Sequence, residues 1–583
     1  MKVFKRLISY FRYEPTFYIG GILLSMVSAG AAIYAPLIGR QLIDYITVQL
    51  NTQSTIAFSV LIQKFGFFML MTLISTGCGY ISYVLLAYAS NGVSKRIRDE
   101  AYEHMQTLPI SYFDDKPAGK ISARIVNDVE LVRTNFYMNF SNMVIINVLT
   151  VMAVYVALMI VSPTIGFSLL VLLPFFVVWQ ILYVRKATPI NKKWRETVSE
   201  LNSQTAEIVQ GVSIVQLYQQ QDAMLDEFEK TNQDWLNMRL KGIRLDAILS
   251  WDFSTLIKNL VMFAVLTYLG TQFVDGVLGY SIGTIYVIIN YISSLFDPIL
   301  NLVRGMTNLQ QAMSGARRVF ELLDEPSEKD SDNPLEFIEG TVAFNHVSFG
   351  YDPEKPVLKD IHFTARKGET IGLVGHTGSG KSSIINLLFR FYDPQQGQVL
   401  IDGQELSERN RESIRDKMGI VLQEPYLFSG TIASNISMND PSITDEMVTE
   451  ALIKVGGQSL LEKLPLGIHE PVVEKGQSLS SGERQLIAFA RTLASDPNIL
   501  ILDEATSHID TQTEEIIQHA MEVVKEGRTT FIVAHRLSTI QNADQIIVLE
   551  NGEIVEQGKH HDLIQLDRYY AEMYQLQSKV SVG

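Results

Sequence analysis

Apolar residues gather into six long stretches in the first half of the chain, at about residues 16 to 38, 65 to 89, 139 to 161, 163 to 184, 247 to 272 and 281 to 303. Each approaches the ~20 residues that an α-helix needs to cross a bilayer, so the pattern predicts six transmembrane helices. The links at residues 46 to 63 and 273 to 280 contain no Lys or Arg. Residues 90 to 135 hold Lys95, Arg96, Arg98, Lys116, Lys120, Arg124 and Arg133, and the next long link adds Arg185, Lys186, Lys192, Lys193, Arg195, Lys230, Arg239, Lys241 and Arg244. Basic loops stay on the cytoplasmic side, which assigns both long links and both termini to the cytoplasm. Stretches such as Asn202 to Lys230 are polar, rich in helix formers and almost free of Gly and Pro. The membrane helices are therefore expected to run on into the cytoplasm and turn near Ser111 to Gly119 and near Gly211 to Tyr218.

Ahead of these stretches, Met1 to Tyr13 sets Lys2, Lys5, Arg6 and Arg12 among Val3, Phe4, Leu7, Ile8 and Phe11, a pattern suited to a basic amphipathic helix in the membrane interface. A cleaved signal peptide is the alternative, but the following apolar run is long and lacks an A-x-A-like cleavage site. After the helical run Arg304 to Leu323, the charged, proline-bounded stretch Asp324 to Pro334 reads as a linker. Beyond it, strand-like apolar runs such as Met418 to Leu422, Ile499 to Leu502, Thr530 to Val533 and Gln545 to Leu549 alternate with helical ones, which predicts an α/β domain. The expected domains are an interfacial helix at 1–15, a six-helix membrane domain at 16–322, a linker at 323–337 and an α/β domain at 338–583.

Composition agrees with this division. Hydrophobic residues make up 47% of the 583 positions, yet charge concentrates in the second half, as expected of a cell-membrane protein with a soluble cytoplasmic domain. The net charge of −15 argues against nucleic acid as a partner. A single cysteine, Cys78, excludes intrachain disulfides and thiol-rich metal sites.

The chemistry centres on Gly375, His376, Thr377, Gly378, Ser379, Gly380, Lys381 and Ser382, which fill every fixed position of G-x-x-x-x-G-K-[ST]. The glycines let successive backbone N–H groups converge on a phosphate, Lys381 adds charge and Ser382 can ligate Mg²⁺. Thr370 to Val374 before the loop reads as a buried strand, and the run from Ser383 to Leu388 after it reads as a helix. The phosphates of ATP would sit at that helix's N-terminus, against residues that include Ser383. Ile499 to Leu502 forms a second apolar strand that ends in Asp503 and Glu504. There Asp503 would enter the Mg²⁺ shell and Glu504 would act as general base toward water.

Between these motifs lies Leu479-Ser480-Ser481-Gly482-Glu483. Together with the phosphate loop, the acidic strand end and the six apolar stretches, it resembles an ABC exporter half-transporter, and closest the bacterial heterodimeric multidrug exporters. The resemblance implies an exporter-type membrane domain joined to an ATP-binding domain. It implies that Ser480 and the backbone around Gly482 bind the γ-phosphate of ATP held by a second half-transporter. It also assigns Tyr351 to adenine, Gln423 to metal or water, Ser507 to Asp510 to the family's D-loop, and His535 to the γ-phosphate. Pro109 to Val129 and Ala206 to Tyr218 resemble the family's two coupling-helix regions.

Two signature positions depart from the family pattern, Ser481 where it has glycine and Glu483 where it has glutamine. A side chain at 481 is expected to crowd the backbone's approach to phosphate, and a carboxylate at 483 to repel it. His508 stands where alanine is usual. An altered signature beside an intact loop, Asp503, Glu504 and His535 favours a heterodimer in which this chain supplies the working loop and base; a homodimer is the alternative. The implied substrate is an amphipathic small molecule, with Asp252 beside Trp251 and Phe253 as a candidate contact for cationic compounds. Lipid flipping and peptide export are the rival transport readings, the latter less favoured because no peptidase-like domain precedes the first apolar stretch.

Overall fold

A computed structural model describes residues 2–114, 116–249, 251–274, 280–328, 330–503, 511–534 and 536–580. The chain separates into two compact units, one of residues 1–107 and 117–326, the other of residues 108–116 and 327–583.

The first unit is helical. Its described elements begin with α1 (Lys2–Ser9), α2 (Pro15–Asn51), α3 (Phe58–Gln106) and α4 (Asn139–Val161). They continue with α5 (Leu172–Gln210), α6 (Gln221–Leu249), α7 (Trp251–Val274) and α8 (Ile282–Leu323). Six helices among the described residues are long and apolar enough to cross a membrane. The polar stretches beyond the apolar ones stay helical, so α3 and α5 each run on well past the bilayer-length core. At the tip between α5 and α6 the turn contains its own short helix, Val212–Leu217.

Small residues bring α2 and α3 together. A Cβ on Gly21 would lie 2.7 Å from Leu86 Cγ, and the Ser25 and Ser82 hydroxyls, 2.9 Å apart, each lie 2.7 Å from the Gly21 carbonyl oxygen, so their two protons are shared among these three oxygens. Close backbone approach with hydroxyls satisfied across the contact is what helix packing in lipid favours. The α1 helix turns its apolar side onto protein: Leu7 is buried, Phe4 packs edge-on to Phe136, and Tyr137 donates to the Leu7 carbonyl at 2.8 Å. Arg6 pairs with Asp324 and lies over the Phe320 ring at 4.4 Å. Lys2 and Lys5 stay exposed. Two π-helical turns, Arg124–Asp128 and Arg133–Met138, precede α4, and Asp128 on the first pairs with Arg318 of α8. Apolar periodicity carries no sign of such single-turn insertions.

Among the described residues the second unit carries twelve strands. They are β1 (Val342–Phe349), β2 (Leu358–Ala365), β3 (Thr370–Val374), β4 (Gln396–Ile401), β5 (Gln404–Glu405) and β6 (Met418–Val421), then β7 (Gly430–Thr431), β8 (Pro471–Val472), β9 (Ile499–Asp503), β10 (Thr529–Val533), β11 (Gln545–Glu550) and β12 (Glu553–Gly558). A six-stranded sheet has the order β12-β11-β3-β10-β9-β6, parallel except for the β11–β12 pair. The five parallel strands are largely buried on both faces, as parallel sheets require, while the antiparallel edge strand β12 is more exposed. Ile499, Ile501, Phe531 and Val533 join one core with the antiparallel sheet β2-β1-β4-β5, while Leu500, Leu502, Ile532 and Val548 join another built largely from helices. The expected strands are present to within one residue at either end.

Asp402 fastens the entry to this unit. Asp402 and Gly403 take φ +49° and +74° in the two-residue turn between β4 and β5, the Asp-Gly chemistry a primed hairpin turn requires. The Asp402 carboxylate accepts from the backbone N–H groups of Ile338, Glu339, Gly340 and Thr341 at 2.9 to 3.1 Å. Burial works to raise its pKa, but these four donors hold it below the usual carboxylate range.

Candidate nucleotide site

The phosphate loop joins β3 to the helix α9 (Lys381–Leu388). Gly375, Gly378 and Gly380 have φ of +154°, +86° and +107°, backbone that L side chains rarely adopt. At two of them there is also no room: a Cβ on Gly375 would stand 2.3 Å from the Leu549 carbonyl oxygen, and one on Gly380 would stand 2.5 Å from Leu358 Cδ2. Lys381 is buried and folds back over the loop, donating to the carbonyls of Gly375 at 2.7 Å and His376 at 3.1 Å. The Ser379 hydroxyl is buried with no hydrogen-bond partner. An orphaned donor between glycine N–H groups fits a phosphate oxygen, since an unpaired buried hydroxyl is otherwise costly.

Tyr351 is half-exposed beside α9: Asn386 donates to its hydroxyl at 2.9 Å, and Ser383 lies 3.3 Å from the same oxygen. The rings of Phe349 and Tyr392 meet it edge-on at 5.0 Å each. An aromatic anchored this way to the loop's own helix presents a flat surface to a purine.

The parallel register brings the remaining groups to one edge. Val533 of β10 lies opposite both Leu373 of β3 and Asp503 of β9, and Val421 of β6 lies opposite Leu502. Asp503 therefore ends its strand at the level of the loop, and Gln423 follows two residues after β6 on the same edge. Ligands of open α/β sheets bind at this carboxyl edge. Ser382, Gln423 and Asp503 supply a hydroxyl, an amide and one carboxylate, a donor set suited to Mg²⁺ that completes its shell with phosphate and water. Among the described residues no cluster of three or more His, Cys, Asp or Glu could hold a metal on its own. Glu504, Ser507 to Asp510 with His508, and His535 lie outside the described residues. So does the Asp252 side chain.

At the signature the structure adds a local role that the sequence expectations did not include. Ser480 is the N-cap of α11 (Ser481–Ala494; α10, Arg411–Arg415, lies earlier in the chain), and Glu483 is its N3 residue. The two form a reciprocal capping box: Ser480 Oγ accepts from Glu483 N at 3.2 Å, and Glu483 Oε2 accepts from Ser480 N at 2.9 Å. Lys463 Nζ stands 3.3 Å from Glu483 Oε1. Burial works to raise the Glu483 pKa, but the Ser480 N–H and hydroxyl and Lys463 hold it below the usual range. The carboxylate is thus a committed capping group with a counter-charge. Ser481 is exposed in the first helical position, which any L-residue occupies without strain, so its side chain does not distort the turn. The S-x-x-E capping pattern was present in the sequence and is the signal that identifies this role.

Known proteins bear on this arrangement. Residues 18–299 match the family model described as "ABC transporter transmembrane region", and residues 358–507 match "ABC transporter". The chain is 46% identical over 499 residues to a probable multidrug resistance ABC transporter ATP-binding/permease protein, YheH, of Bacillus subtilis, spanning 85% of this chain and 74% of that one. It belongs to the ABC transporter family. A putative ABC transporter ATP-binding protein of Streptococcus pneumoniae, exp8, is 39% identical over 582 residues, covering 99% of this chain and 97% of its own. Among solved structures, a bacterial Atm1-family ABC exporter with ATP bound is similar over 96% of this chain and 98% of its own, with TM-score 0.79 and 25% identity. The ABC transporter described here is thus a multi-pass membrane protein with an exporter fold, and it couples ATP hydrolysis to transport.

Proposed function

We propose that this chain is one half of a heterodimeric exporter of amphipathic drugs or lipid-like compounds, with its nucleotide-binding domain and both termini in the cytoplasm. In this reading the loop from Gly375 to Ser383 and Tyr351 bind ATP. Ser382, Asp503 and Gln423 hold Mg²⁺, which screens the developing phosphate charge when bound. Glu504 takes the proton of the attacking water, His535 steadies the γ-phosphate, and the partner supplies the signature that covers it. Ser480 and Gly482 in turn cover the partner's nucleotide. The observation that carries the nucleotide assignment is the loop itself, with Lys381 and the unpaired Ser379 hydroxyl converging on it. The multidrug assignment draws on the similarity to the probable multidrug resistance transporter of Bacillus subtilis.

One observation favours a homodimer as the second reading. Glu483 is capped and counter-charged, so an altered signature in both sites is compatible with ATP in both. The tests are direct. Glu504→Gln should remove at least 95% of ATP turnover by the purified complex while ATP still binds; turnover that survives nearly intact would show that Glu504 is not the base. Asp252→Asn should weaken efflux of a cationic dye, and unchanged efflux would end its role as a ligand.

A further inference from the structure

The stretch that leaves the membrane unit reads as a solvated linker, yet two of its carboxylates, Glu328 and Asp330, are bound. Glu328, two residues beyond the unit boundary at Pro326, is 3.2 Å from Arg411 and 3.8 Å from Arg415. Asp330 accepts from the Arg411 N–H at 2.9 Å and from Asn410 Nδ2 at 3.1 Å, and lies 3.8 Å from Arg390. The backbone follows suit: Asn410 N donates to the Asn333 carbonyl at 2.6 Å, and Leu335 N donates to Ser413 Oγ at 2.8 Å. The segment is laced along α10 through Glu328, Asp330, Asn333 and Leu335.

The three arginines grip the far end of the phosphate helix. Arg411 Nε donates to the Arg390 carbonyl at 3.2 Å, while Arg415 donates to the carbonyls of Phe389 at 3.2 Å and Arg390 at 3.1 Å. Those carbonyls belong to the C-cap residue of α9 and the residue after it, just past the helix that starts at Lys381. Arg390 itself takes φ +52° there and is tied to Asp393, the Ser407 carbonyl and the Arg409 carbonyl. Arg390 and Arg411 are both buried, so their carboxylate partners are costly to remove. Cations at a helix C-terminus also favour the dipole whose other end faces phosphate. An eight-residue helix is a rod of about 12 Å, so a shift at one end is felt at the other.

We propose that Glu328 and Asp330 are positioning residues: through Arg411, Arg415 and Arg390 they tie the C-terminal end of the phosphate-binding helix to the segment leaving the membrane unit, so that ATP binding moves that segment directly. The proposal rests on ATP binding at the loop and not on the identity of partner or substrate. It makes the linker a mechanical element of the ATP cycle, separate from the coupling-helix regions.

Tryptophan offers the readout. All four tryptophans, Trp179, Trp194, Trp235 and Trp251, precede residue 323. The full chain in lipid, in whichever assembly hydrolyses ATP and with any partner's tryptophans changed to phenylalanine, is titrated with Mg-ATP while tryptophan fluorescence is followed. Binding of the fluorescent nucleotide MANT-ATP and the thermal midpoint are measured in parallel. The double variant Glu328→Gln, Asp330→Asn is expected to bind MANT-ATP within about twofold of the parent and lose at least half of the ATP-induced fluorescence change, with Glu328→Asp recovering most of it. An undiminished fluorescence change overturns the proposal. So does a parallel loss of midpoint, binding and fluorescence, which marks the network as structural glue only. Absence of MANT-ATP binding by the parent would remove the nucleotide reading itself, and the strap with it.

Discussion

Ser379 and Glu483 show how the site's chemistry is carried by single side chains. The Ser379 hydroxyl has no partner, so Ser379→Ala should leave the nucleotide-free protein as stable as before and weaken ATP binding about three- to tenfold, the worth of one hydrogen bond. MANT-ATP titration beside a thermal scan checks both halves. Glu483 gives a pH signature. Its folded pKa is held below the ordinary value of about 4.3, so its stabilisation is present above that value and is lost as pH falls through the folded pKa. Glu483→Gln keeps the capping geometry without the charge, so the parent's advantage over this variant should shrink from pH 7 to pH 4; an advantage that grows on acidification would contradict the assignment. Glu483→Ala removes one side of the box and should cost about 1 kcal/mol. The phosphate loop was legible because its residue types sit at fixed spacing. The capping role of Glu483 was present in the Ser480–Glu483 spacing but was not drawn from it, because comparison with a signature drew attention to a different partner for the carboxylate.

At the scale of elements, the loop's glycines and the Asp402 turn set the geometry. Gly375→Ala meets the Leu549 carbonyl at 2.3 Å with φ at +154°, so nucleotide binding should fall at least a hundredfold, read by MANT-ATP titration. Asp402→Ala strands four backbone N–H groups, and should lower the stability of the nucleotide unit by about 2 kcal/mol, read by denaturant unfolding. Strands and membrane helices were legible from periodicity, since alternation and bilayer-length apolar runs are local properties. The strap from Glu328 to Arg411 was not, because it joins residues far apart in sequence whose types, taken singly, suit a solvated linker. The π-turns before α4 were hidden for a related reason: one extra residue per turn leaves apolar spacing nearly unchanged.

For the whole molecule, one chain carries one loop and one signature, and the account turns on what completes the site. Both the sequence order of motifs and the sheet register place the loop, Asp503 and Gln423 together at one edge, whereas the γ-phosphate cover is assigned to another chain. The capped, counter-charged Glu483 narrows the gap between the proposed heterodimer and homodimer, and in both proposals a second subunit completes the site. The most direct test is the ATPase activity of this chain purified in lipid alone and then co-expressed with a second half-transporter, taken from a neighbouring gene where one exists. The account predicts negligible turnover alone and at least tenfold more in the pair. Robust turnover by the chain alone would contradict the heterodimer and make two identical signatures sufficient.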